Sequence, residues 1–151
     1  MMLDKEAIEE LVEKLVEPIL EARGMTLVDL ELVGTGGRKI LKVFIDKPGG
    51  VTISDCQKVS NELSLVMDEV DPIPGPYILE VSSPGLDRVL KKERELRWAQ
   101  GRKVRIITLG GEKRGILLEV NESEVVLERA GNQEHFGRDE ILKIQLDEIG
   151  E

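Results

Sequence analysis

The stretch "EVSSPGLDRVLKKERELRW", from Glu80 to Trp98, decides how this chain is divided. It opens with the alternation of a strand, breaks at Ser-Ser-Pro-Gly, and then becomes basic. Pro84 presets φ for the second position of a turn, and Gly85 accepts positive φ at the third. Ser83-Pro84-Gly85-Leu86 therefore reads as a type II turn that reverses the chain after a strand. Charge changes across it. Residues 1–90 carry 9 Lys/Arg and 17 Asp/Glu, whereas residues 91–151 carry 12 and 13. Between 88 and 105 stand Arg88, Lys91, Lys92, Arg94, Arg97, Arg102, Lys103 and Arg105 against only Glu93 and Glu95. The motif Ser82, Ser83, Pro84, Gly85, Leu86 and Asp87 thus reads as an interdomain turn. The expected domains are 1–88 and 89–151.

Upstream, Ile8, Leu11, Val12, Leu15, Ile19 and Leu20 recur at helical spacing, so residues 4–23 are expected to form an amphipathic helix. Asp4 is placed to cap it, Leu3 and Ile8 to staple it, and Gly24 to end it; Pro18 should kink it or remove one bond. Its outer face is acidic: Glu6, Glu9, Glu10, Glu13 and Glu17. Residues 25–33 and 40–46 alternate as half-buried strands, with Val28, Leu30 and Leu32, then Leu41, Val43 and Ile45, turned inward. The "GTGGRK" between them (34–39) is Gly-rich but leads into a strand, not a helix, which excludes a phosphate loop. It is a hairpin with Arg38 and Lys39 at its tip.

Ser54, with Gln57 three residues on, has capping-box spacing for a second helix. Cys56, Val59, Leu63, Val66, Met67 and Val70 would form its buried stripe. "DPIPGP" (71–76) ends it, and 77–81 reads as a third strand. Two helices then cover one face of a three-stranded sheet, an α+β layer with a KH-like look. After residue 90 comes a short helix near 93–99, then segments 102–108, 114–120, 124–129 and 140–146 with close turn signals. These suggest a small all-β barrel of SH3 or Sm type, with Gly115 marking a bend or bulge. "AGNQEHFGRD" (130–139) reads as a break.

Catalytic chemistry has no footing. Ser82 and Ser83 lack a nearby base, and the single histidine, His135, lies in the other part. One His and one Cys do not make a zinc site, and neither an EF-hand nor a Walker spacing occurs. No enzyme, metal or cofactor is expected. No apolar run approaches the roughly 20 residues needed to cross a bilayer. The acidic N-terminus carries no apolar signal segment, and a lone cysteine forms no internal disulfide. A cytoplasmic protein is expected. The net charge of −9 disfavours wholesale binding to phosphate backbones, but a local run of one sign can still steer a polyanion.

"EVSSPGLDRVL" (80–90) resembles the signature of the ribosome maturation factor RimP family. "LVEPILEARGMTLVDLEL" (15–32) is similar to that family's first helix and strand. "LKVFIDKPGGVTISDCQKVSNELSLVMD" (41–68) resembles its second strand and capped helix, and "RGILLEV" (114–120) has the layout of its C-terminal strands. Two positions depart: Val89 replaces a usual proline, and Ile144 stands where alanine is common. The resemblance implies an N-terminal α+β domain followed by an SH3- or Sm-like barrel. It implies a cytoplasmic, non-enzymatic factor that binds the immature small (30S) ribosomal subunit, the barrel meeting a protein of that subunit near the decoding region. No small-molecule substrate and no membrane enter this picture.

With that implication, Arg38, Lys39, Arg88, Lys91, Lys92, Arg94, Arg97, Arg102 and Lys103 are the candidates for contact with ribosomal RNA, and the acidic first helix is expected to face away from it or to meet a basic ribosomal protein. A protein-binding adaptor without RNA contact stays open: a barrel edge can take an extended basic tail. No heptad or long apolar edge suggests an obligate oligomer, so a monomer is expected.

Overall fold

Asp4 starts the first helix as its position predicts: its carboxylate accepts the Ala7 N–H at 2.8 Å. The structure, a computed structural model, describes residues 4–35 and 37–149; the expected Leu3–Ile8 staple falls outside them. Helix α1 spans Lys5–Glu21 and runs through Pro18, which removes only its own N–H from the ladder. The helix ends with the Met25 N–H on the Leu20 carbonyl (2.9 Å) and the Gly24 N–H on the Glu21 carbonyl (3.2 Å), Gly24 having φ +67°. That is a Schellman closure, which needs a residue tolerant of positive φ.

The chain divides into two compact units, residues 1–84 and 85–151. In the first, strands β1 (Thr26–Val33), β2 (Lys39–Asp46) and β3 (Tyr77–Ser82) form a mixed sheet in that order, β1 antiparallel to β2 and β2 parallel to β3. The parallel pair needs a crossover, which helix α2 (Ile53–Val70) supplies. Ile8, Val12, Val16 and Leu20 of α1 and Val59, Leu63 and Met67 of α2 pack with Leu30, Leu41, Val43 and Ile45 in one core. Both helices therefore lie on one face of the sheet. Each such aliphatic side chain contributes about 1.5–3 kcal/mol when fully buried.

Three local expectations are corrected here. A bulge between Leu27 and Asp29 shifts the phase of β1: Val28 is fully buried as expected, but it is Leu27 that joins the core cluster, and Asp29 is buried too. The cap of α2 is Thr52, not Ser54. The Thr52 hydroxyl accepts the Asp55 N–H (3.0 Å), and the Asp55 carboxylate accepts the Thr52 N–H (2.8 Å). Val70, the last residue of α2, is exposed, and Asp71 (φ +52°) caps the helix after it.

The second unit contains α3 (Glu93–Trp98), β4 (Lys103–Thr108), β5 (Gly111–Val120), β6 (Glu124–Arg129), β7 (Asn132–Gly137), a 3-10 turn (Arg138–Glu140) and β8 (Ile141–Leu146). The strands form a five-stranded antiparallel sheet in the order β7-β6-β5-β4-β8. Among the described residues β7 and β8 do not pair, so the expected barrel is an antiparallel sheet without detected closure. The stretch read as a break contains β7: Ala130 (φ +49°) and Gly131 (φ +82°) make a two-residue hairpin, and Phe136 is buried. Gly115 is not at a bulge, which lies between Leu117 and Glu119. It is glycine because a Cβ there would sit 2.3 Å from the Glu128 carbonyl oxygen.

Gly115→Ala should therefore destabilise the protein by about 1–3 kcal/mol, the usual range for overpacking, read from urea unfolding. Asp55 gives a pH test. Its carboxyl is held at about 2, below the ordinary 3.8, chiefly by its bond to the Lys47 ammonium (2.8 Å) and then by the Thr52 amide. A depressed acid stabilises the fold fully above its unfolded value and loses that effect as pH falls through its folded value. Asp55→Asn should be less stable than the parent at pH 7, with the difference closing between about pH 4 and about pH 2; thermal unfolding across that range measures it.

Candidate functional site

The junction sequence is a strap rather than a free turn. Gly85 takes φ +83°, as the turn reading requires. Beyond it the chain lies against β8. The Leu86 carbonyl accepts the Glu148 N–H (3.0 Å), the Arg88 carbonyl accepts the Leu146 N–H (2.8 Å), and the Leu90 N–H donates to the Ile144 carbonyl (2.8 Å). The Gln145 side-chain amide donates to the Asp87 carbonyl (2.7 Å). Val89 and Gln145 form a bridge. Of the motif, Ser82 closes β3, Ser83 is exposed, and Pro84 ends the first unit.

The basic run that follows is organised by one acidic residue. Glu95 is 2% exposed. Its carboxylate accepts the Arg88 Nε–H at 2.7 Å and the backbone N–H groups of Lys92 (3.0 Å) and Lys91 (3.2 Å). Lys92 is the N-cap of α3 and gives no side-chain cap bond. Glu95, at the third helical position, closes that end instead, as in half of a capping box. Sequence reading counted Glu95 only as a negative charge; its place three residues after Lys92 was the available signal.

The nine candidate cations separate into two kinds. Arg88 is paired with Glu95 and mostly covered. Arg102 pairs with Glu148 (3.3 Å) and lies over the Trp98 ring, 4.3 Å from its centre. The neighbouring Arg105 pairs with Glu112 (2.9 Å). Lys39 donates to the Pro74 carbonyl (2.7 Å) and is half-buried. Arg94 is half-buried and has a partner of its own. These side chains are committed inside the fold. Arg38, Lys91, Lys92, Arg97 and Lys103 are exposed, although Lys92 and Lys103 also make contacts. Lys91, Lys92, Arg97 and Lys103 share the second unit, while Arg38 belongs to the first.

The acidic face of α1 is likewise divided. Glu6, Glu10 and Glu17 are exposed, but the Glu9 carboxylate accepts the Leu32 N–H (2.8 Å) on the outer edge of β1. It covers an unpaired strand group that would otherwise invite another chain. Cys56 packs against the first core, and burial raises its thiol pKa, as expected of a small core residue. Among the described residues no group of three or more His, Cys, Asp or Glu is arranged to hold a metal ion, and no helix is long and apolar enough to cross a membrane.

Compared with known families, residues 15–87 match the model described as the RimP N-terminal domain. The match takes in the C-terminal part of α1 from Leu15, all three strands of the first sheet, α2, and the junction motif through Asp87.

The division between committed and exposed cations is measurable. Glu95→Ala leaves Arg88 without its carboxylate and two amides without an acceptor, and should cost about 3–5 kcal/mol. Arg97→Ala, at an exposed position, should stay within about 0.5 kcal/mol of the parent. Urea unfolding of the two variants gives both numbers.

Proposed function

Since the chain belongs through residues 15–87 to the RimP family, the non-enzymatic maturation factors of the small (30S) ribosomal subunit, we propose that it docks on the immature subunit through the exposed cations beside α3. Lys91, Lys92, Arg97 and Lys103 face ribosomal RNA in this reading, and Arg38 adds a contact from the hairpin tip of the first unit. The second unit meets a protein of the subunit near the decoding region, and the exposed acidic side of α1 faces away from RNA or meets a basic ribosomal protein. The protein acts as a monomer in the cytoplasm, without cofactor or small-molecule substrate.

The observation that carries this reading is the separation of sign. Exposed Lys91, Lys92 and Arg97 stand within one short segment, whereas Glu6, Glu10 and Glu17 are exposed along α1. Phosphate contacts release counterions, so binding should weaken steeply with salt. Arg88 is not among the proposed contacts, since reversing it would set a carboxylate against buried Glu95.

Binding of labelled protein to immature small subunits over a salt series tests the proposal. Lys92→Glu with Arg97→Glu should weaken binding and lower the salt slope by about 2, one for each lost phosphate contact, with thermal unfolding unchanged. An unaltered slope would remove this segment from the interface. A pull-down after nuclease digestion addresses the adaptor reading, which predicts that all association survives loss of RNA.

A further inference from the structure

The strap fills only half of the edge it covers. Its last bond to β8 is that of Leu90 with Ile144; the next two amides, of Lys91 and Lys92, turn to Glu95 instead. From Ile144 back toward Ile141, a groove of about 600 Å3 lies beside β8. Leu90, Leu96 and Ile144 line it and are buried, and Lys91 and Lys143 line it and are exposed. Leu142 projects there at 62% exposure, at a bulge where β8 has no partner residue on β4. Arg138 also borders the groove but is held by Glu93 and by the Asn121 carbonyl.

This geometry points to a second docking site: the groove takes an extended segment of a protein partner, added to β8 in line with the strap, with acidic residues flanking an apolar one. Strand edges are completed by backbone hydrogen bonds, and pockets beside them choose alternate side chains. The apolar lining suits one aliphatic side chain. Lys91 and Lys143 favour carboxylates on either side of it. Single-stranded nucleic acid is bound over aromatic platforms, and no aromatic residue lines this groove. The site is separate from the proposed RNA-facing cations except at Lys91, so the test rests on Leu142 and Lys143.

The probe is a fluorescein-labelled peptide, Glu-Val-Glu-Ile-Glu-Val-Glu, titrated with the full chain by fluorescence anisotropy. Saturable binding is expected. It should fall at least about tenfold, some 1.4 kcal/mol, in Lys143→Glu, in Leu142→Glu, and for the same peptide methylated on alternate backbone nitrogens. It should persist in the Lys92→Glu, Arg97→Glu protein, while Lys143→Glu leaves immature-subunit binding intact. Thermal unfolding shows that each variant is folded. Absence of saturation, equal binding of the lysine counterpart of the peptide, or indifference to methylation would overturn the proposal. So would a uridine hexanucleotide that binds in the peptide's place and is lost in Lys143→Glu.

Discussion

A single buried carboxylate sets the entrance to the second unit. Glu95 gathers the Arg88 guanidinium and two consecutive amides, and three consequences follow from that one contact. The strap is held in register at its far end. The helix α3, only six residues long and far below the length at which helices stand alone, is given a closed N-terminus. The helix then delivers Leu96 and Ala99 to the same core as Val104, Ile106 and Ile144. Burying a carboxylate costs several kcal/mol. Here that is offset because its oxygens are met by one cation and two backbone donors, and among the described residues no buried side-chain polar atom lacks a partner.

The same contact changes what the basic run means. In sequence, eight cations between 88 and 105 look like one patch. In the fold, Arg88, Arg102 and Arg105 serve carboxylates brought to them by α3, by the segment after β8 and by strand pairing, respectively. Paired cations contribute little to the outer field, since each lies within a few ångströms of an opposite charge. The exposed members of the run are Lys91, Lys92, Arg97 and Lys103, of which Lys92 and Lys103 also make contacts. Charge counting therefore overestimates such a surface wherever a basic run is followed by short antiparallel strands.

Much of the fold was legible because its signals are local. Asp4 and Gly24 bound α1 through contacts within a few residues, and alternation placed Leu41, Val43 and Ile45 correctly in the core. The failures were of two kinds. Where two local solutions compete, as Thr52 and Ser54 do for the cap of α2, the choice depends on Asp55 and on Lys47 from the preceding loop. Where a bulge enters, as at Val28, every residue on one side of it changes face, and alternation alone carries no mark of it. β7 was missed because Asn132, Gln133, Glu134 and His135 are polar, an ordinary composition for an edge strand of which only Phe136 is buried. The site residues were legible as a list but not as a surface, since exposure depended on partners up to 46 positions away, as between Arg102 and Glu148.

An acidic protein with a small cationic area has a physical advantage over a uniformly basic one on a ribosomal particle. In the proposed reading, with a net charge of −9, orientations that present acidic residues to exposed RNA are repelled and those that bring the cations close are attractive. Specificity is a difference between such states, and repulsion in the wrong ones contributes as much as attraction in the right one. At physiological salt the screening length is about 8 Å, so this discrimination acts near contact rather than at long range. In that reading release is favoured as well: docking through a few exposed lysines and arginines, each with modest energy in water, would hold a factor long enough to act without fixing it to the finished subunit.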